Sequence, residues 1–180
     1  MFSKNKRVRL KGNRRERVIK SLEMAGWYSG RSVDITEVEN FYDSCGVQLL
    51  ASTKEFFREF YGLAEDWWID WKYKPNTSSN FSFTPEPDKI SSRLKYEMFG
   101  SSNESISSGS LFQIQGIAME QIVYVGEIGY YYPARVWIGE SGKIYTTHEY
   151  DKEIHVYNSI IDLIEWELSM KDFEYITIPK

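Results

Sequence analysis

The strongest candidates for a catalytic or metal-binding role in this sequence are its two histidines, His148 and His155, which have acidic residues close by in sequence. The acidic neighbours are Glu149, Asp151 and Glu153. Imidazole and carboxylate groups together can bind a metal ion or act as a general base. The histidines are seven residues apart in neighbouring predicted strands, and period-two alternation places odd offsets on opposite faces of a regular strand pair. The spacing therefore argues against a shared metal site.

Other motifs for catalysis or phosphate binding fail on spacing. Ser141 lies in GESG (139–142), which lacks the G-x-S-x-G pattern of a nucleophile elbow and indicates a hairpin turn. Neither G-x-x-x-x-G-K-[ST] nor G-x-G-x-x-G occurs, so neither phosphate-binding loop is predicted. Carboxylate pairs are frequent, but nothing in the sequence brings two of them to a defined distance. We predict no catalytic residue, no cofactor and no metal, and hence a protein that is not an enzyme.

Three helices are predicted in the first third of the chain. The expected caps at their starts are Asn13 with Glu16, Asp34 with Glu37, and Ser52 with Glu55. The expected ends are Gly26, Gly46 and Gly62. Between the first two helices, Trp27 offers a large apolar body that can hold the turn in place, and Arg31 can tie down carboxylates or exposed carbonyls. We name residues 26–35 the corner.

The rest of the chain predicts a sheet with two further helices. A hairpin is expected over 67–83 with a polar turn at 76–80, then a helix over 85–99 and a serine-rich loop over 101–110. Strands are predicted at 111–117, 121–128, 134–138, 143–149 and 153–157. A helix capped by Asn158 or Ser159 follows, and FEYITIP (173–179) adds an edge strand. This order predicts a single α+β domain, a mostly antiparallel sheet with helices packed on one face.

Length and composition predict a single domain, and the single cysteine is typical of a protein in a reducing compartment. With 180 residues, 42% of them hydrophobic, the chain can bury one core and does not require two. Its single cysteine, Cys45, excludes an intrachain disulfide and is expected to be a small buried residue. No run of 18 apolar residues and no apolar signal region occurs, so a cytoplasmic protein without membrane contact is predicted.

The net charge of −4 conceals a division along the chain. Residues 1–17 hold eight Lys and Arg against Glu16 alone, a net charge of +7 that leaves −11 for the remainder. We predict a basic flexible N-terminal arm over 1–12 and an acidic domain over 13–180. The arm could contact nucleic acid, fold onto the acidic domain or remain solvated. An acidic domain surface disfavours phosphate binding and is compatible with a cationic protein partner.

Four segments resemble the third family of the SUKH superfamily, immunity proteins of bacterial polymorphic toxin systems. They are GWYSGRSVDI (26–35), KEFFREFYGL (54–63), VGEIGYY (125–131) and VWIGESGKIY (136–145). The residues of the corner that carry the resemblance are Gly26, Trp27, Arg31 and Asp34. Tyr61 stands where the family usually has the first glycine of a pair. The resemblance covers about residues 18–168 and implies a SUKH-like domain that binds a protein toxin, often a nuclease or a deaminase.

The hypothesis that follows is an immunity protein, monomeric, that neutralises a cognate toxin by stoichiometric occlusion. Exposed aromatic and acidic residues are the expected contacts, because Trp and Tyr anchor many interfaces and carboxylates complement a basic partner. They are Glu65, Asp66, Trp68, Asp70, Glu127, Tyr130, Tyr131 and Tyr132. The alternative is a nucleic-acid-associated or regulatory scaffold protein anchored by its basic arm. Nucleic acid is not expected to bind outside that arm.

Overall fold

An antiparallel sheet of eight strands organises the chain, in the order β1-β8-β2-β3-β4-β5-β6-β7. The computed structural model describes residues 6–63, 68–71, 74–82, 98, 111–129, 134–148, 153–167 and 175–178. The strands are β1 (Lys6–Arg9), β2 (Trp68–Trp71), β3 (Lys74–Ser82), β4 (Ile122–Gly129), β5 (Ala134–Gly139), β6 (Ile144–Thr147), β7 (Ile154–Tyr157) and β8 (Tyr175–Ile178). The described helices are α1 (Arg14–Met24), α2 (Thr36–Ser44), α3 (Ala51–Phe60), α4 (Leu111–Ala118) and α5 (Ile160–Glu167). The α+β class is confirmed.

The helix ends follow local sequence signals. The predicted capping box of α1 is present, because Glu16 N donates to Asn13 Oδ1 over 2.9 Å and Asn13 N donates to Glu16 Oε2 over 2.7 Å. Ser159 accepts from Asp162 N over 3.1 Å, which confirms the cap of α5. The capping box at Ser52 is wrong. Helix α3 already begins at Ala51, and the Ser52 hydroxyl donates to the Gly139 carbonyl of β5 over 2.7 Å.

Several strand predictions hold and two do not. The segments 121–128, 134–138, 143–149 and 153–157 contain β4, β5, β6 and β7, with slightly shifted ends. Residues 111–117 form helix α4, not a strand. Short apolar runs do not distinguish a strand from a buried helix, and Ile114 is fully buried on α4. The tail strand exists as β8, but it lies between β1 and β2 and is not an edge strand.

The predicted hairpin is confirmed, with its turn in a different place. β2 pairs with β3 through Ile69 opposite Ser79, and β3 pairs with β4 through Phe81 opposite Ile128. The polar residues 76–80, predicted as a turn, therefore lie inside β3. Pairing on both sides overrides the weak strand propensity of Asn and Ser. The predicted helix over 85–99 lies outside the described residues apart from helical Met98, and the serine-rich loop lies wholly outside them.

The core joins α2 and α3 to the middle of the sheet. Phe57 of α3 and Trp137 of β5 have no solvent exposure, and Tyr42 of α2 lies beside Phe57 with ring centroids 5.5 Å apart. Cys45 is buried at the end of α2, as predicted. Among the described residues, no helix is both long enough and apolar enough to span a membrane.

The Tyr42 hydroxyl is a buried polar group that fixes α2 on the sheet. It donates to the Tyr124 carbonyl over 2.8 Å, and burial strongly raises the pKa of Tyr42. Replacing Tyr42 with Phe removes this donor and leaves a buried carbonyl with one partner fewer. We expect the free energy of unfolding to fall by about 1–2 kcal/mol in urea denaturation. Tyr28→Phe, at an exposed tyrosine, is the control and should change it by no more than about 0.5 kcal/mol; equal effects would contradict the assignment.

Candidate partner-binding cleft

The corner between α1 and α2 is built by two glycines and a backbone reversal. Gly26 has φ 98° and Gly30 has φ 79°, conformations in which a side chain would be strained. Trp27 N donates to the Leu22 carbonyl over 2.9 Å, so the chain turns back sharply after α1. Val33 N donates to the Arg58 carbonyl over 2.9 Å. The corner therefore lies against the end of α3.

Arg31 connects the corner to the last carbonyl groups of α3. Its Nη1 donates to the Glu59 carbonyl over 2.6 Å, and its Nη2 donates to the Tyr61 carbonyl over 2.7 Å. A helix end leaves such carbonyls without intrahelical partners, and a guanidinium can satisfy two of them at once. Burial lowers the pKa of Arg31 from its ordinary value. These are the contacts of a residue that holds the corner on α3.

Asp34 lies two residues before α2, which begins at Thr36 with Ile35 at its N-cap, and its contacts differ from the predicted capping box. Its Oδ1 accepts from Thr36 N over 3.0 Å and from the Thr36 hydroxyl over 2.7 Å, bonds that lower the pKa of Asp34. It thus serves a free N–H group of the helix, as predicted. Glu37 does not complete a capping box with it. Instead, Glu37 accepts from the Tyr61 hydroxyl over 3.3 Å, because the corner brings the end of α3 beside the first turn of α2.

Trp27 faces a cleft that lies between the corner, α3, the β5–β6 hairpin and the start of α5. The cleft has a volume of about 260 Å³. Its apolar walls include Trp27, Phe56, Phe60, Ile138, Ile144 and Ile160. The indole Nε1 of Trp27 donates to Glu59 Oε1 over 2.9 Å, which orients that carboxylate at the cleft. An apolar recess with a few oriented polar groups is the usual form of a binding site.

The charged side chains among the described residues that line the cleft are all acidic. Glu55 and Glu59 line it, and none of its described lining residues is Lys, Arg or His. Lys54 of α3 pairs with Glu39 of α2 over 2.8 Å. Arg31 does not line the cleft, although its charge interacts with that of Glu59. Glu55 and Glu59 are four residues apart, as are Phe56 and Phe60, so both pairs repeat on α3 with helical spacing. The sequence predicts only a capping role for Glu55 and no role for Glu59, although this spacing was the signal that could have placed both on one face.

A third carboxylate, Glu120, holds the hairpin that borders the cleft. It accepts from Ser141 N over 2.6 Å, from the Ser141 hydroxyl over 2.8 Å and from the Tyr145 hydroxyl over 2.6 Å. A side chain on Gly139 would collide with this carboxylate. Ser141 is thus a turn residue, as predicted, and its hydroxyl is held by Glu120. The pairing was missed because the two residues are far apart in sequence.

The residues predicted to contact a partner are only partly within the described chain. Trp68 and Asp70 lie on β2, opposite Thr177 and Tyr175 of β8, and Glu127 lies half-buried on β4, opposite Ser82 and Arg135. The others, Glu65, Asp66, Tyr130, Tyr131 and Tyr132, lie outside the described residues. β3 separates β2 from β4. All eight remain predicted contacts, and the three described ones do not line the cleft on α3.

The two histidines lie together, and the expectation of opposite faces is wrong. Their ring centroids are 5.8 Å apart. Alternation of side chains applies within one strand, whereas the register between β6 and β7 determines which face residues of different strands share. In that register His155 lies opposite Thr146, two residues before His148. Positions two apart share a face, so the rings meet diagonally. Within the described residues, no group of three or more His, Cys, Asp or Glu side chains could hold a metal ion.

Part of the basic segment contacts the folded chain. Lys6–Arg9, predicted to belong to a flexible arm, form strand β1 and pair with β8. Arg15 donates to Asp162 Oδ1 over 2.8 Å and lies 3.4 Å from Glu165 Oε2. Hydrogen bonds from Arg15 and Ser159 lower the pKa of Asp162. Some of the positive charge of residues 1–17 thus meets the acidic helix α5.

Comparison with known proteins identifies the family. Residues 14–165 match the SUKH-3 immunity protein family, a range that contains the corner, the cleft and strands β2 to β7. No curated protein and no solved structure matches the chain. The match covers most of the sequence and includes every segment that carries the resemblance seen in the sequence. The chain therefore belongs to the SUKH-3 immunity protein family.

Proposed function

We propose that this protein binds one cognate toxin domain and neutralises it by stoichiometric occlusion in the cytoplasm, without catalysis. The observation that carries the proposal is the family match over residues 14–165. The mechanism requires only a complementary surface and slow dissociation, and affinity among related complexes is tuned mainly through the dissociation rate. The target is expected to be a nuclease or a deaminase.

Charge supports this choice of partner. The sequence beyond residue 17 has a net charge of −11, and the cleft presents two glutamates without a basic neighbour among its described lining residues. Electrostatic complementarity of this kind accelerates encounter with a cationic protein and suppresses other partners. A toxin that acts on nucleic acid is commonly cationic, because it must bind phosphates.

Co-expression with the toxin domains encoded beside its gene tests the proposal. We expect one of them to arrest growth alone, to be tolerated when the full chain is co-expressed, and to purify with it as a one-to-one complex. Rescue of growth from none of these domains would overturn the proposed function. A catalytically inactive toxin variant controls for toxicity during purification and should still form the complex.

The alternative role of the basic segment is tested by charge neutralisation. Replacing Lys4, Lys6, Arg7, Arg9 and Lys11 with Gln keeps the chain length and removes five positive charges. If the chain were anchored to DNA or RNA through this segment, binding at low salt would be lost in the variant, with a salt dependence that reflects counterion release. We expect no such binding by the unmodified protein, and toxin neutralisation unaffected by the substitutions.

A further inference from the structure

We infer that the cleft between α3 and the corner receives an arginine side chain of the toxin, with Glu55 and Glu59 as the acceptors of its guanidinium. This inference rests on the proposed function and specifies the contact through which the partner is held. Trp68, Asp70 and Glu127, the described ones among the contacts predicted from sequence, do not line this cleft.

The shape of the cleft suits the end of a long side chain. A volume of about 260 Å³ greatly exceeds the ~10–15 Å³ that one water molecule requires. Phe56, Phe60 and Ile160 form apolar walls along which an aliphatic stem can lie. Long basic side chains bury their methylene groups in this manner while the charged head reaches polar groups.

One of the two acceptors, Glu59, is already oriented. Trp27 Nε1 holds Glu59 Oε1 over 2.9 Å, so the carboxylate keeps its position and Oε2 remains available for a partner. Glu55 lies one turn earlier on α3 and, within the described part of the chain, makes no hydrogen bond or ion pair. Both carboxylates line the apolar cleft, and a cation bound there would complement their charge.

Arginine suits these groups better than lysine does. Its guanidinium is planar and presents five N–H donors in a fixed arrangement, so it can bond to two carboxylates at once. It also stacks on aromatic rings, and the indole of Trp27 lines the same cleft. A lysine ammonium is a compact and strongly hydrated charge that gains less from such walls.

Affinity measurement on the full chain tests the inference. Glu55→Gln with Glu59→Gln removes both charges and retains an oxygen that can accept from Trp27. We expect the dissociation constant for the toxin domain to rise about 100-fold, since two hydrogen bonds to a charged group are weakened. The control pair is Glu23→Gln with Asp43→Asn, exposed acids outside the cleft with the same change in net charge. It should alter affinity by a factor of about five at most.

A double-mutant cycle identifies the residue on the toxin. One toxin arginine replaced by alanine should weaken binding to the unmodified protein but add little in the Glu55→Gln, Glu59→Gln background. Equal weakening by both acidic pairs, or additivity with every toxin arginine, would overturn the inference while leaving the immunity role intact. Failure to find any bound toxin would instead count against the proposed function.

A second measurement does not depend on the toxin. The NMR signal of the Trp27 indole N–H reports the cleft, and N-acetyl-arginine amide is the probe. We expect a saturable shift in the millimolar range that N-acetyl-citrulline amide, neutral and similar in shape, does not produce and that the double glutamine variant loses. Absence of a saturable shift, or an equal shift with the citrulline compound, would overturn the inference.

Discussion

Replacing Arg31 with leucine is expected to lower the free energy of unfolding by about 2–4 kcal/mol. Leucine leaves the carbonyls of Glu59 and Tyr61 without their guanidinium donor, at distances of 2.6 and 2.7 Å in the intact protein. Hydrogen bonds from a charged donor contribute more than neutral ones, and two such bonds are lost together. Urea denaturation followed by tryptophan fluorescence measures the change.

Arg31→Lys is the matched variant for that experiment. A single ammonium retains the charge but does not reproduce the planar arrangement of donors, so we expect a loss of intermediate size. If Arg31→Leu differed from the unmodified protein by less than about 0.5 kcal/mol, the corner would not depend on Arg31 for its attachment to α3. A loss in Arg31→Lys equal to that in Arg31→Leu would show that geometry matters and charge does not.

The second large effect is expected at Glu120. Glu120→Gln replaces a carboxylate that accepts three hydrogen bonds with an amide that has one acceptor oxygen and brings N–H groups toward the donors of Ser141 and Tyr145. We expect the free energy of unfolding to fall by about 1–3 kcal/mol at neutral pH. Glu140→Gln, on an exposed glutamate of the same turn, is the control and should change it by no more than about 0.5 kcal/mol.

The Glu120 effect should depend on pH in a defined direction. Burial raises the pKa of Glu120, but hydrogen bonds from Tyr145 and Ser141 and the charge of Lys143 outweigh it, so the pKa lies below its ordinary value of 4.5. A depressed pKa stabilises the folded state above the unfolded pKa, and this contribution is lost as pH falls through the folded pKa. The difference between the unmodified protein and Glu120→Gln should therefore shrink below about pH 4.5. A difference independent of pH would contradict this account.

The pKa of Tyr145 offers a second test of its hydrogen bond to Glu120. Burial and its hydrogen bond to Glu120 raise the pKa of Tyr145 to about 12. In Glu120→Gln, the charge that opposes ionisation of the phenol is gone, so this pKa should fall. Spectrophotometric titration of tyrosine checks that shift independently of stability.

Local sequence signals correctly predicted those parts of the fold whose geometry is determined by a few consecutive residues. Asn13 and Glu16 cap α1 because both partners lie in one helical turn. Gly26 follows the C-cap of α1 with a φ of 98°, a conformation that favours glycine. The bounds of β4 to β7 were close because their apolar residues lie between recognisable turns. The α+β class followed from the order of such elements.

Features that depend on contacts between residues distant in sequence were not predicted from local sequence signals. β3 is polar in composition and becomes a strand because β2 and β4 pair with it on either side. Ser52 looks like a cap until the Gly139 carbonyl, far along the chain, is placed beside it. The histidines share a face because of the register between β6 and β7, and the cleft exists because the corner, α3 and α5 converge. Each of these features depends on contacts between residues far apart in sequence, so a short stretch of sequence does not predict it.

The pairing of β1 with β8 has a kinetic consequence. Lys6 stands opposite Ile178, so this edge of the sheet joins residues separated by almost the whole sequence. Closing so long a loop has a large entropic cost, and contacts of this kind slow folding relative to local ones. The β4–β7 meander can form from neighbouring segments, whereas β1 pairs only with β8, from the opposite end of the sequence. Folding should therefore finish at the edge that carries the basic residues of β1.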